Sequence, residues 1–355
     1  MTDKLQSLRE ILEKRRLSAL IIRNQCNLSW LLKGRSFIGL ASEKGCFQLI
    51  VTPAKVYLCT NNIERPRLMA EELASRAGEL DVLESNWWEP VSPEAFASRL
   101  GCIPAADDDA LAEDFFQLRT VLTAGEQEDY AALCAASAHI LEDACRTVAP
   151  GLSEFQVCGQ VSQALWAQGI EPITLMAAFD GRTRLARHPI PTGNRLQNYA
   201  LLVLCARRNG LVASVSRAVH LGPVPAGLLA RHQACANVDA AAFSAVRTGG
   251  TSGDVFAALQ RAYGQNGYEE EWRRHHQGGL TGYAAREYRA GPGTKDVMRP
   301  GQAFAFNPSI DGTKCEDTML LSPDGPRYLS HTGAYAYVTG CFEGVQVQRP
   351  AILTL

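Results

Sequence analysis

The sequence predicts two tandem domains that both mix helix and strand: an α/β domain over residues 1–117 and a larger α+β domain over residues 118–355. Three observations lead there. Helical and strand patterns alternate from the start of the chain to DVLE at 81–84. A Pro- and Asp-rich stretch, IPAADDDA (103–110), marks weak packing and a boundary. Beyond it, a strand hairpin is followed by two long Ala-rich helical runs and then by short strands.

The elements follow in order. Residues 3–16 form an amphipathic charged helix pattern, and LSALII (17–22) fits a buried strand. NLSWLL (27–32) reads as a short helix with Asn27 near its start. CFQLIVT and KVYLCT are β-rich runs separated by Pro53, residues 64–77 read as helix, and DVLE as a further strand. In the second part, 126–146 is a long helical run that Pro150 and Gly151 stop, and Ser153 can cap the next helix. EPITLMAAF (171–179) and residues 198–222 read as strands. RNG (208–210) supplies their hairpin turn, because Asn-Gly tolerates the positive φ that a tight turn needs. Helices at 224–247 and 252–266 follow, then short strands from GQAFAF onward, with no strict repeat or low-complexity tract.

Composition sets bounds on function. Of 355 residues, 46% are hydrophobic and 20% charged, the balance of a globular enzyme-sized protein. A formal net charge of -2 argues against a nucleic-acid or anionic-membrane partner. No stretch nears the roughly 18 apolar residues that span a bilayer, and MTDKLQSLREILEKRR lacks the apolar core of a signal peptide, so a cytoplasmic location is expected. The 11 cysteines are odd in number and lack CxxC spacing, against a disulfide framework or a zinc ribbon. Cys205 and Cys315 lie beside the segments considered next, without an evident acid–base partner.

Several motifs together resemble the pita-bread family that includes creatinase, prolidase, proline aminopeptidase and methionine aminopeptidase. LSALIIRNQCNLSWLLKGR resembles the start of the creatinase-type N-terminal domain, and LRTVLTAGEQEDYAALCAASAHI the entry helix of the catalytic domain. PGLSEFQV, RHPIPTGNRLQNYALLV, RNGLVASVSRAVHLG, HHQGGLTGY, GQAFAFNPSI and KCEDTMLL then occur in the family's order. The resemblance implies a creatinase-like N-terminal domain followed by a pita-bread domain.

Peptidases of that family hold two metal ions with two Asp, one His and two Glu, since hard carboxylates bridge two cations that activate a shared water. Carried onto this chain, the five positions are Val203, Ser214, Gly279, Asn307 and Glu316. Four have lost the ligand. Between Glu171 and Gly222 the sole acid is Asp180, which reads as a turn residue, so a one-residue shift does not rescue the site. A metal-free protein with no cofactor is therefore expected.

The pocket is not blank. His188 falls where the peptidases place a substrate-contacting histidine and where metal-free creatinase places its catalytic one. His275 matches a second active-site histidine of the proline-specific members; Arg286 takes the place of another, followed by Glu287. With Glu316 and with Lys314 two residues before it, this set can do acid–base chemistry, a histidine exchanging protons near neutral pH. Arg217, Arg286 or Lys314 could hold a substrate carboxylate, although Arg217 reads first as an internal partner of an acid such as Glu316. Asn307 would border the substrate, and Tyr283 and Trp272 read as packing that can line the pocket. His276 reads as structural or exposed, and Gly278 and Gly279 as serving backbone geometry that leaves room for a ligand. The two glutamates with which creatinase grips its guanidinium substrate correspond to Ser216 and Asn307, which argues against creatine.

The expected function is metal-independent, creatinase-like hydrolysis of a C–N bond in a small molecule, with His188 as acid or base and His275 and Glu316 beside it. The competing readings are a catalytically inactive binding module for a peptide or protein, and a metallo-aminopeptidase using His275, His276, Glu287 and Glu316. The resemblance also implies a homodimer, with Arg35 or Phe37 reaching over a partner's pocket.

Overall fold

The structure, a computed structural model, describes residues 2–355. It divides into two compact units, Met1–Arg119 and Thr120–Leu355.

The first unit runs α1 (Thr2–Arg15), β1 (Ala19–Asn24), α2 (Gln25–Leu32), β2 (Lys44–Val51), β3 (Val56–Asn61), α3 (Arg65–Arg67), β4 (Asp81–Ser85), α4 (Pro93–Arg99), β5 (Ala105–Asp107) and α5 (Ala112–Arg119). The strands form one sheet in the order β4-β3-β2-β1-β5. Ala19, Ile21, Ile50 and Cys59 pack with Phe96 and Ala97 of α4.

Three local expectations change here. The helix expected at 64–77 is a single α turn that widens into a π turn over Leu68–Glu72. Leu68 and Leu73 are both buried, and the Leu73 N–H donates to the Leu68 carbonyl at 2.8 Å, so an i,i+5 turn puts both on one face. The Asp-rich stretch is not loosely packed. It contains β5, which pairs in parallel with β1, and the buried Asp108 carboxylate accepts from the N–H groups of Arg23 (3.2 Å) and Asn24 (2.8 Å). Asn27 lies within α2 rather than at its start, and its amide donates to Asp108 at 2.9 Å.

The second unit opens with α6 (Ala124–Thr147) and α7 (Glu154–Trp166), both begun by capping boxes, Thr123 with Glu126 and Ser153 with Gln156. Next come β6 (Glu171–Phe179), α8 (Arg182–Leu185), β7 (Tyr199–Arg208) and β8 (Leu211–His220). Asn209 and Gly210, at φ 52° and 86°, make the two-residue turn between β7 and β8. Helices α9 (Ala226–Ala245) and α10 (Ser252–Gln265) follow, then β9 (Gly278–Thr281), β10 (Ala303–Phe306), β11 (Ser309–Ile310), β12 (Thr313–Lys314), β13 (Asp317–Ser322), β14 (Gly325–Tyr328), β15 (Tyr337–Phe342), β16 (Val345–Pro350) and β17 (Ile352–Thr354).

Two four-stranded sheets result, β17-β8-β7-β6 and β14-β13-β10-β9. They meet where β8 passes the start of β13. The Ser216 N–H donates to the Glu316 carbonyl at 2.9 Å, and the Thr318 hydroxyl accepts from the Ser214 N–H at 2.9 Å while donating to its carbonyl at 3.0 Å. This seam holds the residues of interest. No helix among the described residues is long and apolar enough to cross a membrane.

Candidate functional site

At the seam Glu316 is buried, and each carboxylate oxygen meets a different cation. Oε1 accepts from Arg286 Nη2 at 2.8 Å, and Oε2 lies 2.7 Å from Lys314 Nζ. Arg286 Nη1 also donates to the Ser214 hydroxyl at 3.0 Å, so this arginine ties β8 to the start of β13. Lys314 ends β12, and Glu316 lies in the two-residue link before β13, which brings both to the seam. Burial pushes the Glu316 carboxyl up, but Lys314 and Arg286 outweigh it and hold the group below the usual range, ionised at neutral pH.

Three imidazoles converge nearby. His188 is exposed on the loop after α8; His275 is buried and His276 half-buried where the chain enters β9. His188 Nε2 lies 3.1 Å from His275 Nε2, a contact that holds one proton between two nitrogens. The His275 and His276 rings stack at 4.4 Å between centroids. An Arg187–Glu271 ion pair fastens the His188 loop to the turn that carries His275. Burial, then Lys314 and Arg289, lower the pKa of His188, with Glu316 opposing them. Burial, Lys314 and the neighbouring imidazoles take His275 down to about 2, and burial with Arg286, Arg289 and Lys314 takes His276 to about 4. All three are neutral at physiological pH.

Sequence patterns give His276 a role only in the metallo-aminopeptidase alternative and do not single out Arg289. Adjacency to His275 was the signal available for the first. Arg289 is 10 residues beyond Gly279 in a loop without pattern, and nothing local marked it.

Several predicted residues have other employment. Arg217 is fully buried with every guanidinium nitrogen spent: Nε on Glu142 at 3.0 Å, Nη1 on Asp317 at 3.0 Å and on the Ser216 carbonyl, Nη2 on the Ser330 carbonyl. It is neither a substrate anchor nor the partner of Glu316, because α6 and β13 bring other carboxylates closer. Tyr283 gives its hydroxyl to Glu126 at 2.6 Å and so pins its loop to the cap of α6 instead of lining a pocket. Val203 lies in an apolar cluster with Met176, Leu201 and Ala218. Asn307 is buried beside the Gln277 carbonyl, to which its backbone N–H donates at 3.1 Å, and its Oδ1 has no partner. Glu287 is half-buried, and its N–H donates to the Leu280 carbonyl at 2.9 Å. Cys205 is no thiolate nucleophile, since burial pushes its pKa up.

The space expected beside Gly279 is filled by the chain itself. A Cβ there would lie 2.4 Å from the Tyr288 carbonyl oxygen and 2.8 Å from the Ala290 nitrogen. Gly279→His is therefore expected to lose about 1–3 kcal/mol, the usual cost of overpacking, read from urea melts. A variant as stable as wild type would mean that the 288–290 segment yields easily.

His188, His275 and His276 offer ligand atoms within 4.8 Å of one another. The electrostatics disfavour a cation among them, since Lys314, Arg187, Arg286 and Arg289 all act on these rings. His276 Nδ1 already accepts from the Gly278 N–H at 3.3 Å. Relay of a proton, or contact with an anionic group, suits the arrangement better.

Comparison with known proteins gives concordant results. The model for metallopeptidase family M24 matches residues 128–335. Agropine synthesis cyclase of Rhizobium rhizogenes is 29% identical over 214 residues, 53% of this chain and 53% of the relative, so the match spans about half of that relative's length. Among solved structures, the prolidase from Pyrococcus horikoshii OT3 superposes with a TM-score of 0.77 at 16% identity, covering 93% of this chain and 98% of that one. Dipeptidase PepE from Mycobacterium ulcerans gives 0.77 at 19% identity, covering 100% and 98%. At such identities the solved structures speak for the fold alone.

Proposed function

The chain belongs to metallopeptidase family M24, and from that premise we propose that it is a metal-independent enzyme acting on a small molecule that bears a carboxylate, with His188 as the acid–base group. The observation that carries this reading is the double ion pair on Glu316, with Arg286 at 2.8 Å and Lys314 at 2.7 Å. A dinuclear metal centre, which the family implies, does not fit these residues. Of the five ligand positions only Glu316 is anionic, and both its oxygens are taken by side-chain cations. Val203 has no donor, and the room beside Gly279 is closed by backbone. Neutralising two dications needs several anionic ligands.

The chemistry then rests on the imidazoles. His275 sits behind His188, and the 3.1 Å Nε2–Nε2 contact orients the exposed ring. A neutral His188 takes the proton from an O–H or N–H nucleophile as it adds to an acyl carbon. It returns that proton to the leaving nitrogen as the C–N bond breaks. With water as nucleophile the product is a carboxylic acid and an amine. With a hydroxyl or amine of the same substrate it is a ring, and likeness to a protein named a cyclase supports this internal variant. Cations outnumber acids around the histidines, which favours a substrate carboxylate there, with Arg289 the exposed guanidinium.

The test is to incubate chelator-treated protein with N-acyl amino acids and hydroxy-acid amides and to follow mass change. Turnover without metal, lost in His188→Ala, is expected. Turnover that appears only with added Mn, Co or Zn, or calorimetric binding of two ions per chain, would overturn the reading. A stable co-purifying partner with no turnover would favour a binding module instead.

A further inference from the structure

We propose that the second unit carries an accessory site for a small organic carboxylate, in a cavity at the open end of the β7–β8 hairpin. The cavity encloses about 380 Å³ and is lined by Arg184, Tyr199, His220, Gly227, Leu228 and Arg231 among others. It lies on the same face of the hairpin as Ser214, because Tyr199 pairs with His220 and Cys205 with Ser214. Six residues of strand separate His220 from Ser214, roughly 20 Å, with Leu201, Ala218 and Val203 packed between. The cavity is thus separate from the Ser214–Arg286–Glu316 cluster.

Its volume is that of a preformed small-molecule pocket, with mostly apolar walls and few polar groups. Two features, Arg231 and the start of α9, give it an anionic preference, and His220 adds an acceptor. Arg231 spends only Nε on the protein, donating to the Asp311 carbonyl at 2.8 Å, and the outer two nitrogens of its fork are unused. His220 is 7% exposed, and its Nδ1 lies 2.9 Å from the Gly222 carbonyl, which can only accept. Nδ1 therefore donates, which leaves Nε2 as an acceptor at the cavity wall, suited to a hydroxyl or N–H of the ligand and not to its carboxylate. Pro225, Gly227 and Leu228 line the cavity with the first turn of α9, a 20-residue helix that has no side-chain cap and no acid in that turn. The Leu228 and Leu229 N–H groups turn back to the Pro225 carbonyl, so the helix end contributes its dipole, which favours negative charge.

The neighbouring acids are already committed. Asp180 accepts from the N–H groups of Gln197 (2.9 Å), Asn198 (2.8 Å) and Tyr199 (3.0 Å), and Asp311 pairs with Arg184 at 2.6 Å. A planar fork with two free donors matches a carboxylate, and the walls formed by Leu228, Pro225 and the Tyr199 ring match an apolar body attached to it. Two lining residues lie close in sequence to the candidate site: Gly312 precedes Lys314 by two residues and Arg184 precedes His188 by four.

The experiment is calorimetric titration of the whole protein with mandelate as probe, on wild type, Arg231→Gln, His220→Phe and His188→Ala. One saturable site is expected in wild type and His188→Ala, weakened about tenfold or more in Arg231→Gln, as when one charged hydrogen-bond partner is lost. His220→Phe weakens it as well, because it removes the acceptor for the probe's hydroxyl, and guards against misfolding of the arginine variant. No saturable binding to wild type overturns the proposal. So does binding that survives in both cavity variants but vanishes in His188→Ala, which would put the carboxylate at the histidines.

Discussion

His188→Ala is expected to lower turnover by roughly 10²–10⁴-fold, the range in which a positioned acid–base group contributes, with stability changed by less than about 0.5 kcal/mol, as for an exposed side chain. The loss should fall on kcat more than on KM, because the imidazole acts when the proton moves. The wild-type pH profile supplies a second readout. Burial and Lys314 lower the His188 pKa, so the base form persists below the ordinary histidine value of about 6.5, and the acid limb of the profile should lie below that pH. His275→Ala should slow turnover too, since it removes the Nε2 that orients His188 at 3.1 Å. Full activity in His188→Ala would remove the proposed mechanism outright. The same histidines make the fold acid-sensitive. Held neutral by the folded state, they contribute fully above the unfolded value near 6.5, and that contribution falls as pH drops below it and protons bind the unfolded chain first.

The second large effect is on stability. Glu316→Gln leaves Lys314 and Arg286 buried without their shared anion. Stranding charge in this way costs about 3–5 kcal/mol, a fall in Tm on the order of 10 °C for a unit of this size. Replacing Lys314 with Met in the same chain should recover part of the loss, because one stranded cation is gone, and a double-mutant cycle measures how much. The pH dependence has a definite sign. The Glu316 carboxyl is held below its usual range, so its contribution is present above the unfolded value of about 4.3 and is lost as pH falls through the lower, folded one. A Glu316→Gln protein within half a kcal/mol of wild type would show that the two cations find other partners or water.

Much of the second unit was legible because its signals are local. Ser153 with Gln156 three residues on announces a helix start, and both arms of that capping box form. Asn209-Gly210 announces a two-residue hairpin turn, and both residues take the positive φ that it needs. The long helices α6, α9 and α10 follow the helical runs read in the sequence to within a few residues. His188, His275, Arg286, Lys314 and Glu316 stood out through ordered motifs, and the structure joins them in two contact sets, His188 with His275 and Glu316 with the two cations.

What depended on partners distant in the chain was not legible. Arg217 was read beside Glu316, yet it finds Glu142 from α6 and Asp317 from β13. Tyr283 was read near the pocket, yet its hydroxyl reaches Glu126, 157 residues away. Gly279 was read as leaving space, which the backbone of Tyr288–Ala290 fills. The sequence by itself determined the long helices, the hairpin turn and the chemical types around the site, because these follow from each residue's own backbone preference and side chain. Only the tertiary structure decided which buried charges meet and which atoms stay unpaired. A buried ion takes the nearest opposite charge that packing delivers, and that is set by how β8 and β13 cross at the seam, not by any spacing along the chain.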